Sequence, residues 1–503
     1  MNKVYWIESS EGRGYKKLDR DIQVDYLIIG GGLAGVTCLY LLVSAGLKAV
    51  LIDADRIGYG CSGRNTGKIT AQHALVYSSI EKQFGLERAR QYYEVNDKAL
   101  ELIETLIARY NIQCDFQRMP ACVFTQDESY AEKIRQEYET YQKMGLDCRL
   151  EKEIPIPLKI RNALILNNQA QFNPKKYIDA LADEAVNQGG TIYEDTRIVD
   201  FQPGERCTLK TGDKFTIEAG HVVIASHIPC YDGMGFYFAK LKPMRTYAVM
   251  AKYDKSFPKC HFINAEDPTR SLRYVHEADS LLIVGESHKV GHQKEDHYLL
   301  LKKFGNEVFG IDEYQYQWSA QDYEPPRNIP YVGYLNKDTP NIFVATGFNK
   351  WGISGGTAAG MVISNMIRNG SSPYEELYSH TTLMDVASST FVTENADVAV
   401  QLISGKLKSG DTEIPESAGI GRVINLGGKR CGYYKDQDGR EYIVDVTCTH
   451  MGCELKWNQL EASWDCPCHG SRFDYKGNVL EGPACLPLNR HDQEKNKINP
   501  QIR

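Results

Sequence analysis

Unbroken apolar runs, separated by a glycine-rich turn, predict the first elements of the chain. Residues 24–29 have the pattern of a buried strand, and residues 36–45 have the pattern of a helix. The turn between them reads Gly30-Gly31-Gly32-Leu33-Ala34-Gly35. A second strand is predicted at residues 48–52 and ends at Asp53. Together these segments predict a unit of strand, tight turn, helix and strand.

The periodicity of apolar positions changes towards the C-terminus. Apolar residues three to four positions apart predict long helices at residues 86–110 and 128–144. A short linker helix is predicted at residues 395–406. Beyond it the pattern indicates a small all-β unit, with short strands predicted at residues 421–425, 429–435 and 441–445.

The glycines of the first turn have the spacing of a dinucleotide-binding fingerprint. Gly30 would make the turn, Gly32 would let a pyrophosphate approach the backbone, and Gly35 would let the helix pack closely. Asp53 would bind the ribose hydroxyls of the adenosine. Residues 26–47 carry no charge and are long enough to imitate a transmembrane helix, but the three consecutive glycines argue against one.

Length and charge limit the class of protein. At 503 residues the chain predicts two or three domains. The net charge is −7 with both signs interspersed, and the sequence pI is about 6.0. Neither nucleic acid nor an anionic membrane surface is therefore expected as a partner. The N-terminal residues do not have the pattern of a signal peptide. We expect a cytoplasmic protein without a transmembrane segment.

The residues after the second strand favour FAD over NAD. Residues 58–67 resemble the flavin-contacting segment of the D-amino-acid oxidase-like FAD oxidoreductases, the group of glycine, sarcosine and glutamylputrescine oxidases. Further segments typical of that family follow in order, and residues 346–356 resemble its loop over the isoalloxazine ring. The resemblance covers residues 22–370 and implies bound FAD. It implies further cofactor contacts from Ser62, Arg64, Asn65, Gly347 and Gly352.

In this family the substrate domain is interleaved with the FAD domain. We therefore expect residues 95–165 and 241–335 to form a mixed sheet over the flavin. Many members that oxidise amino acids use an arginine to pair with the substrate carboxylate. Asp322 stands at that position here, and Arg327 stands where the family has an aspartate. Two interpretations remain open: Asp322 binds a cationic amine, or it pairs with Arg327.

The same resemblance indicates where a substrate would bind. Arg245 and Tyr247 begin the strand that runs under the substrate, and Lys350 and Trp351 lie in the loop over the flavin. Arg245, Tyr247, Trp351 and Asp322 are the candidate catalytic residues. The alternative is that these residues pack the sheet or bind the flavin. Because the flavin carries the hydride chemistry, the sequence marks such residues only weakly.

Four cysteines and two histidines lie in two short segments near the C-terminus. The first reads Cys448-Thr449-His450-Met451-Gly452-Cys453, and the second reads Cys466-Pro467-Cys468-His469-Gly470-Ser471. Paired loops of Cys and His also occur at structural zinc sites, but Cys466 and Cys468 are too close in sequence to bind one metal easily. The two segments resemble the ligand set of a Rieske [2Fe-2S] centre.

That resemblance implies a role for each residue. Cys448 and Cys466 would hold one iron, and His450 and His469 would hold the other. In Rieske proteins of the cytochrome bc type the two further cysteines, here Cys453 and Cys468, pair as a disulfide. Such a bond would be an exception in the reducing cytoplasm. Ser471 would donate a hydrogen bond to a bridging sulfur, which raises the reduction potential.

The sequence thus predicts an α/β FAD-binding Rossmann-like domain with an interleaved α+β substrate domain, plus a small all-β Rieske domain. The expected domains are residues 1–375, a linker with a helix at 376–410, and the Rieske domain with a polar tail at 411–503. We expect the tail from Pro487 onward to be exposed.

The expected function is FAD-dependent dehydrogenation of a C–N bond in an amine or amino-acid-like substrate. Electrons would pass one at a time through the cluster to an external acceptor. Two alternatives are a redox-sensing or regulatory protein and electron flow in reverse, from a carrier to the flavin. A monooxygenase would need a mononuclear iron, for which the candidate ligands are His288, His292 and His297 with Glu295 or Asp296.

Overall fold

The computed structural model describes residues 3–379, 417–426 and 428–491, with the single residues 398 and 415. The predicted helix at residues 395–406 lies outside the described residues. The chain divides into two compact units. Unit 1 comprises Met1–His227, Arg245–Ser287 and Asp296–Met384, and unit 2 comprises Ile228–Met244, His288–Glu295 and Asp385–Arg503.

An eight-stranded sheet forms one layer of unit 1, and its central strands are parallel. Both strands predicted beside the glycine turn belong to it. In spatial order the strands are β16 (Tyr331–Tyr334), β17 (Ile342–Thr346), β10 (Thr216–Ile224), β1 (Ile22–Ile29), β2 (Ala49–Ile52) and β7 (Thr191–Tyr193), with β8 (Ile198–Gln202) and β9 (Cys207–Thr211) joined through β10.

A nine-stranded mixed sheet forms the expected substrate domain. β4 pairs with β12 in parallel and with β6 antiparallel. In spatial order the strands are β15 (Tyr316–Glu324), β11 (Lys242–Lys252), β14 (Ser280–Lys289), β13 (Arg270–Val275), β12 (His261–Asn264), β4 (Gln117–Thr125), β6 (Asn162–Gln171) and β3 (Lys68–Ile69), and β5 (Cys148–Glu151) pairs with β6.

The helices of unit 1 cover these sheets, and two of them have the bounds that the apolar periodicity predicts. They are α1 (Tyr5–Glu8), α2 (Leu33–Ser44), α3 (Tyr77–Phe84), α4 (Leu86–Tyr110), α5 (Glu128–Met144), α6 (Pro174–Asn187), α8 (His297–Phe309), α9 (Ser354–Asn369) and α10 (Glu375–Ser379). α5 begins at a cap in which the Asp127 carboxylate accepts the Ser129 amide, and Gly145 ends it in a left-handed conformation.

The uncharged stretch that imitates a membrane helix is β1, a turn and α2. Ten of the twelve residues of α2 are buried, because α2 packs against β1, β2, α6 and α9. A helix that is apolar on every side is expected in such an interior position. In the described part of the chain, no helix combines the length and the apolar character needed to cross a membrane.

The described part of unit 2 includes two small antiparallel sheets and the short helix α7 (Tyr237–Lys240). Trp464 and Phe473 are fully buried in its core. The strands of the first sheet agree closely with the predicted ones. They are β18 (Gly421–Leu426), β19 (Lys429–Lys435) and β20 (Glu441–Asp445), and the second sheet consists of β21 (Lys456–Asn458), β22 (Ser463–Asp465), β23 (Arg472–Asp474) and β24 (Val479–Glu481).

The prediction of an exposed tail from Pro487 is wrong at Leu488. Leu488 is 3% exposed, and its amide donates to the carbonyl of Gly477. Arg490 pairs with Val444 in an isolated β-bridge. One apolar residue in a polar stretch carries no periodic signal, so the sequence did not indicate this contact.

A buried ion-pair network ties the second sheet of unit 2 together. Arg472 lies 3.0 Å from Asp465, 3.8 Å from Glu461 and 3.5 Å from Glu481, and its side chain is 4% exposed. Asp465 also accepts hydrogen bonds from Ser463 and Asn458. These carboxylates hold the pKa of Arg472 above its ordinary value against the opposing effect of burial.

We expect Arg472→Met to destabilise unit 2 by about 3–5 kcal/mol, because it leaves the buried Asp465 carboxylate without its counter-ion. Arg440→Met is the matched control, since Arg440 is exposed, and it should change stability by less than about 0.5 kcal/mol. Urea unfolding followed by tryptophan fluorescence measures both. Equal stabilities of the two variants would contradict this account of the network.

Candidate functional site

The first glycine turn has the shape that a bound dinucleotide requires. Gly30 adopts a φ of +111°, and a Cβ there would lie 2.4 Å from the carbonyl oxygen of Ala225. A Cβ on Gly35 would lie 1.9 Å from the carbonyl oxygen of Gly30. At Gly32 a Cβ would lie 2.9 Å from Ser62 Oγ. The turn therefore leaves no room for a side chain at any of the three glycines, as the close approach of a pyrophosphate in the FAD fingerprint needs.

Asp53 lies at the end of β2, where it can receive the ribose. Its Oδ2 accepts the Gly31 amide at 2.5 Å, and its Oδ1 accepts the Asp55 amide at 2.8 Å. Burial raises the pKa of Asp53 to about 6, although both amides oppose this shift. The carboxylate thus fixes the turn and the strand end relative to each other.

The segment of residues 58–67 is held in place by its own hydrogen bonds. Ser62 Oγ accepts the Leu33 amide at 3.0 Å, directly at the start of α2. Arg64 donates from Nε to the carbonyl of Tyr59. Asn65 bridges the loop, since its amide nitrogen donates to Ser62 and its oxygen accepts the Gly67 amide. Ser62, Arg64 and Asn65 therefore lie next to the glycine turn in a fixed backbone.

A buried group of basic side chains follows this segment, and the sequence reasoning missed it. Lys68 donates to the carbonyl of Phe262 and to Ser271 Oγ, and burial lowers its pKa to about 7. Beside it, burial lowers the pKa of His261 well below its ordinary value. Arg273 stacks on Trp6 at 4.8 Å. A lysine directly after a glycine-rich flavin segment was the only sequence signal for this group.

Arg245 and Tyr247 occupy the predicted strand, β11, and they contact the sheet and α8. Arg245 is 2% exposed and donates to Ser319 Oγ at 2.6 Å. Tyr247 is fully buried, and its ring stacks on His297 at 4.8 Å and 21°. The packing alternative for Tyr247 thus has direct structural support.

Asp322 is 7% exposed and holds the loop that follows β17. Its Oδ2 accepts the Lys350 amide at 2.6 Å, and its Oδ1 lies 3.2 Å from Nε2 of His227. The pairing with Arg327 is therefore wrong, because Asp322 pairs with His227 instead. The sequence could not predict this contact, because the two partners are 95 positions apart.

The loop itself contains Gly347, Trp351 and Gly352. Gly347 has a φ of +75°, which favours glycine. The Trp351 ring stacks on His73 at 4.9 Å and 13°. His73 is buried and lies within hydrogen-bond distance of Tyr92, Thr70 and Ser354, and burial lowers its pKa to about 3. A neutral His73 ring therefore packs against one face of the Trp351 indole.

We expect Asp322→Ala to speed hydrogen exchange at the Lys350 amide by more than tenfold, because a hydrogen bond to a charged group is worth about 2 kcal/mol. Glu324→Ala is the matched control. It removes the 2.9 Å ion pair to the Lys350 ammonium, but both side chains are partly exposed and the amide bond stays. If exchange at Lys350 is the same in both variants, Asp322 does not hold the loop.

In unit 2 the predicted cluster ligands come together. Cys448 and Cys466 are buried and within hydrogen-bond distance of each other. The rings of His450 and His469 are 5.2 Å apart and nearly perpendicular. The cysteine pair thus offers two sulfur ligands, and the histidine pair offers two imidazole nitrogens. The two irons of a Rieske cluster require these two kinds of ligand pair.

The electrostatics of these four residues also fit the cluster. Hydrogen bonding with Cys466 lowers the pKa of Cys448 to about 7, which favours a thiolate. Burial lowers the pKa of His450 to about 4 and that of His469 to about 3, so both imidazoles are neutral at pH 7. In the described residues Nδ1 of His469 is buried without a hydrogen-bond partner, as expected of a nitrogen that binds iron.

The two remaining cysteines of these loops form a disulfide bond, Cys453–Cys468. Amides of His450 and Met451 donate to the Cys448 sulfur, and the Ser471 side chain contacts the same sulfur. Ser471 Oγ also accepts the Ala484 amide at 3.0 Å. The hydroxyl therefore lies beside a ligand sulfur, where a hydrogen bond would tune the cluster.

A second metal site does not form from the histidines near residue 290. Among the described residues, one group of at least three possible ligands lies within 4.8 Å, namely Cys453, Cys466 and Cys468. Two of these three sulfurs, those of Cys453 and Cys468, are already joined in the disulfide bond. The assignment of the cluster ligands therefore rests on the cysteine and histidine contacts given in the preceding paragraphs. His288, His292 and His297 belong to no such group, and the Asp296 carboxylate instead caps α8. Among the described residues, the structure thus gives no support to the iron site of the monooxygenase alternative.

Comparison with known proteins agrees with the geometry of unit 1. Residues 25–366 match the model of the FAD dependent oxidoreductase family, called DAO. The chain belongs to this family. Residues 410–492 match a second model, the Rieske [2Fe-2S] domain. The protein is therefore an FAD-dependent oxidoreductase with a C-terminal Rieske domain, as the sequence predicted.

Individual relatives share both parts or one of them. The putative Rieske 2Fe-2S iron-sulfur protein YhfW of Bacillus subtilis is 37% identical, over 97% of each chain. Gamma-glutamylputrescine oxidoreductase of Escherichia coli is 25% identical, over 73% of this chain and 89% of its own. Glycine oxidase of Geobacillus kaustophilus superimposes with a TM-score of 0.61 at 18% identity, covering 71% of this chain and 98% of its own, and so shares the fold.

Proposed function

We propose that this oxidoreductase dehydrogenates a C–N bond of an amine and delivers the electrons singly, through its Rieske domain, to an external acceptor. The observation that carries the proposal is the presence of both matched families in one chain, with neutral histidines and paired cysteines at the ligand positions. When bound, FAD takes a hydride from carbon and the cluster carries one electron at a time, so each substrate oxidised reduces two equivalents of a one-electron acceptor.

Two features favour an amine over a simple amino acid. The position at which many relatives carry a carboxylate-binding arginine is Asp322 here, so this chain has no such clamp on β15. A relative of similar domain length is named for an amine, gamma-glutamylputrescine. Because Asp322 is already bound to His227 and to the loop, we assign it to positioning the loop rather than to the substrate.

The chain's own residues would bind FAD and position the substrate. Gly30, Gly32, Gly35 and Asp53 would bind the pyrophosphate and ribose. Arg245, Tyr247 and Trp351 remain candidates for contact with the substrate or the flavin. The buried Lys68 directly follows the segment that resembles the flavin-contacting one. The acceptor and the cytoplasmic location remain predictions.

A panel of substrates tests the proposal. The holoprotein is mixed without oxygen with amines, N-methyl amino acids and amino acids, and the flavin absorbance is followed. We expect an amine to bleach the flavin faster than the amino acid that carries the same side chain. Bleaching by amino acids alone would overturn the amine assignment.

A further inference from the structure

The histidine side of the cluster site contacts a segment that is distant in sequence. Ile228–Met244 lies inside the region that matches the FAD family, yet it belongs to unit 2. Phe238 of this segment lies edge-on to both predicted histidine ligands. Its ring is 5.2 Å from that of His450 at 76° and 5.0 Å from that of His469 at 81°. The rings of Phe238, His450 and His469 therefore pack against one another.

Hydrogen bonds fix the backbone that carries Phe238. The Asp232 carboxylate accepts the Phe236 amide at 2.6 Å and the Tyr237 amide at 2.7 Å. Tyr237 is 1% exposed. The segment also contacts the residues after β24, because a Cβ on Gly482 would lie 2.8 Å from Ile228. The segment is thus anchored on the N-terminal side of Phe238.

A second distant segment, His288–Glu295, reinforces the first. The Val290 amide donates to the carbonyl of Pro243 at 3.1 Å, which joins the two segments. A Cβ on Gly291 would lie 2.8 Å from Cα of Pro467, the residue between Cys466 and Cys468. The two segments therefore contact the ligand loops at separate points.

We propose that Ile228–Met244 covers the histidine side of the [2Fe-2S] site through Phe238, so that an external electron partner docks elsewhere on the protein. His469 is 4% exposed and His450 is partly exposed, and the Phe238 ring contacts both. Phe238 is a positioning and shielding residue, because an apolar ring excludes water and keeps the local dielectric low. The inference rests on the proposed function only in assuming that an electron partner exists.

The test uses the holoprotein with its cluster reduced by dithionite, and follows oxidation by ferricyanide and by cobalt tris-phenanthroline in a stopped-flow instrument. These reagents differ in the sign of their charge. We expect Phe238→Ala to raise both second-order rate constants several-fold at unchanged iron content, since the substitution opens the histidine side without changing charge. Wild-type rate constants in this variant would overturn the proposal.

Two further variants separate shielding from damage to the fold. Met234 lies in the same segment, is 83% exposed and has no ring contact with the ligands, so Met234→Ala should leave both rate constants unchanged. Asp232→Ala frees the loop but keeps the Phe238 ring, and it should also raise both rate constants. If Phe238→Ala lacks a cluster, the oxidation of Asp232→Ala tests whether the segment shields the cluster. Wild-type rate constants in Asp232→Ala would then overturn the proposal.

A second readout does not depend on electron transfer. In deuterated water, electron spin-echo spectra of the reduced cluster should show stronger solvent deuterium modulation in Phe238→Ala than in the wild type or Met234→Ala. Equal modulation would show that Phe238 does not exclude water. Since dithionite supplies the electrons and neither readout uses a substrate, failure of the proposed amine chemistry leaves both results intact.

Discussion

We expect Cys466→Ala to remove the [2Fe-2S] cluster while FAD remains bound. Cys466 is 1% exposed, and its sulfur receives backbone hydrogen bonds from Cys468 and His469. The neighbouring sulfurs of Cys453 and Cys468 are bonded to each other in the disulfide, so neither is available to replace it. Iron content should fall from two atoms per chain to nearly none. Substrate-driven reduction of a one-electron acceptor should fall to background, whereas anaerobic bleaching of the flavin by substrate should continue.

Cys485→Ala is the matched control for this variant. Cys485 lies in the same unit as a partly buried thiol outside the disulfide, and its sulfur lies 3.6 Å from the carbonyl oxygen of Pro483. It should keep full iron content and full acceptor reduction. If Cys466→Ala loses its iron but still reduces the acceptor at the wild-type rate, the cluster has a regulatory or structural role instead.

The second large effect is expected at the glycine turn. A Cβ at Gly35 would overlap the carbonyl oxygen of Gly30 at 1.9 Å, and Gly30 cannot yield because its amide is bonded to Ile52. We expect Gly35→Ala to lose most of its FAD and to destabilise unit 1 by about 3 kcal/mol. Flavin absorbance per chain and urea unfolding measure the two effects.

Gly212→Ala controls for the loss of a glycine in unit 1. Gly212 is exposed and lies outside the glycine turn and residues 58–67, and the nearest atom to an added Cβ is in Val199 at 3.9 Å, so FAD content should not change. Retained cluster absorbance in Gly35→Ala would show that the loss is confined to the FAD domain. A Gly35→Ala protein with one FAD per chain would contradict the fingerprint assignment.

Local patterns in the sequence were sufficient for much of the fold. The helices Leu86–Tyr110 and Glu128–Met144 have the predicted bounds because their apolar positions recur with helical spacing over many turns. β19 and β20 also have the predicted bounds. The glycine turn and the two Cys/His loops were predictable because their chemistry requires particular residues at fixed spacing.

Contacts between distant residues were not predictable from one sequence. Asp322 pairs with His227, and no local pattern distinguishes that partner from the nearer Arg327. Phe238 lies more than two hundred residues before His450, and its segment has no motif that indicates a role beside the cluster. The buried Lys68 and Arg472 were missed for the same reason, since burial of a charge depends on the tertiary partners that surround it.

Anaerobic stopped-flow mixing of the holoprotein with a substrate that bleaches the flavin tests the central claim most directly. The flavin and the oxidised cluster are followed together by absorbance and circular dichroism. We expect the flavin to bleach first and the cluster signal to change afterwards in the same reaction, even when no external acceptor is present. A flavin that bleaches completely while the cluster spectrum never changes would contradict electron transfer through the Rieske domain.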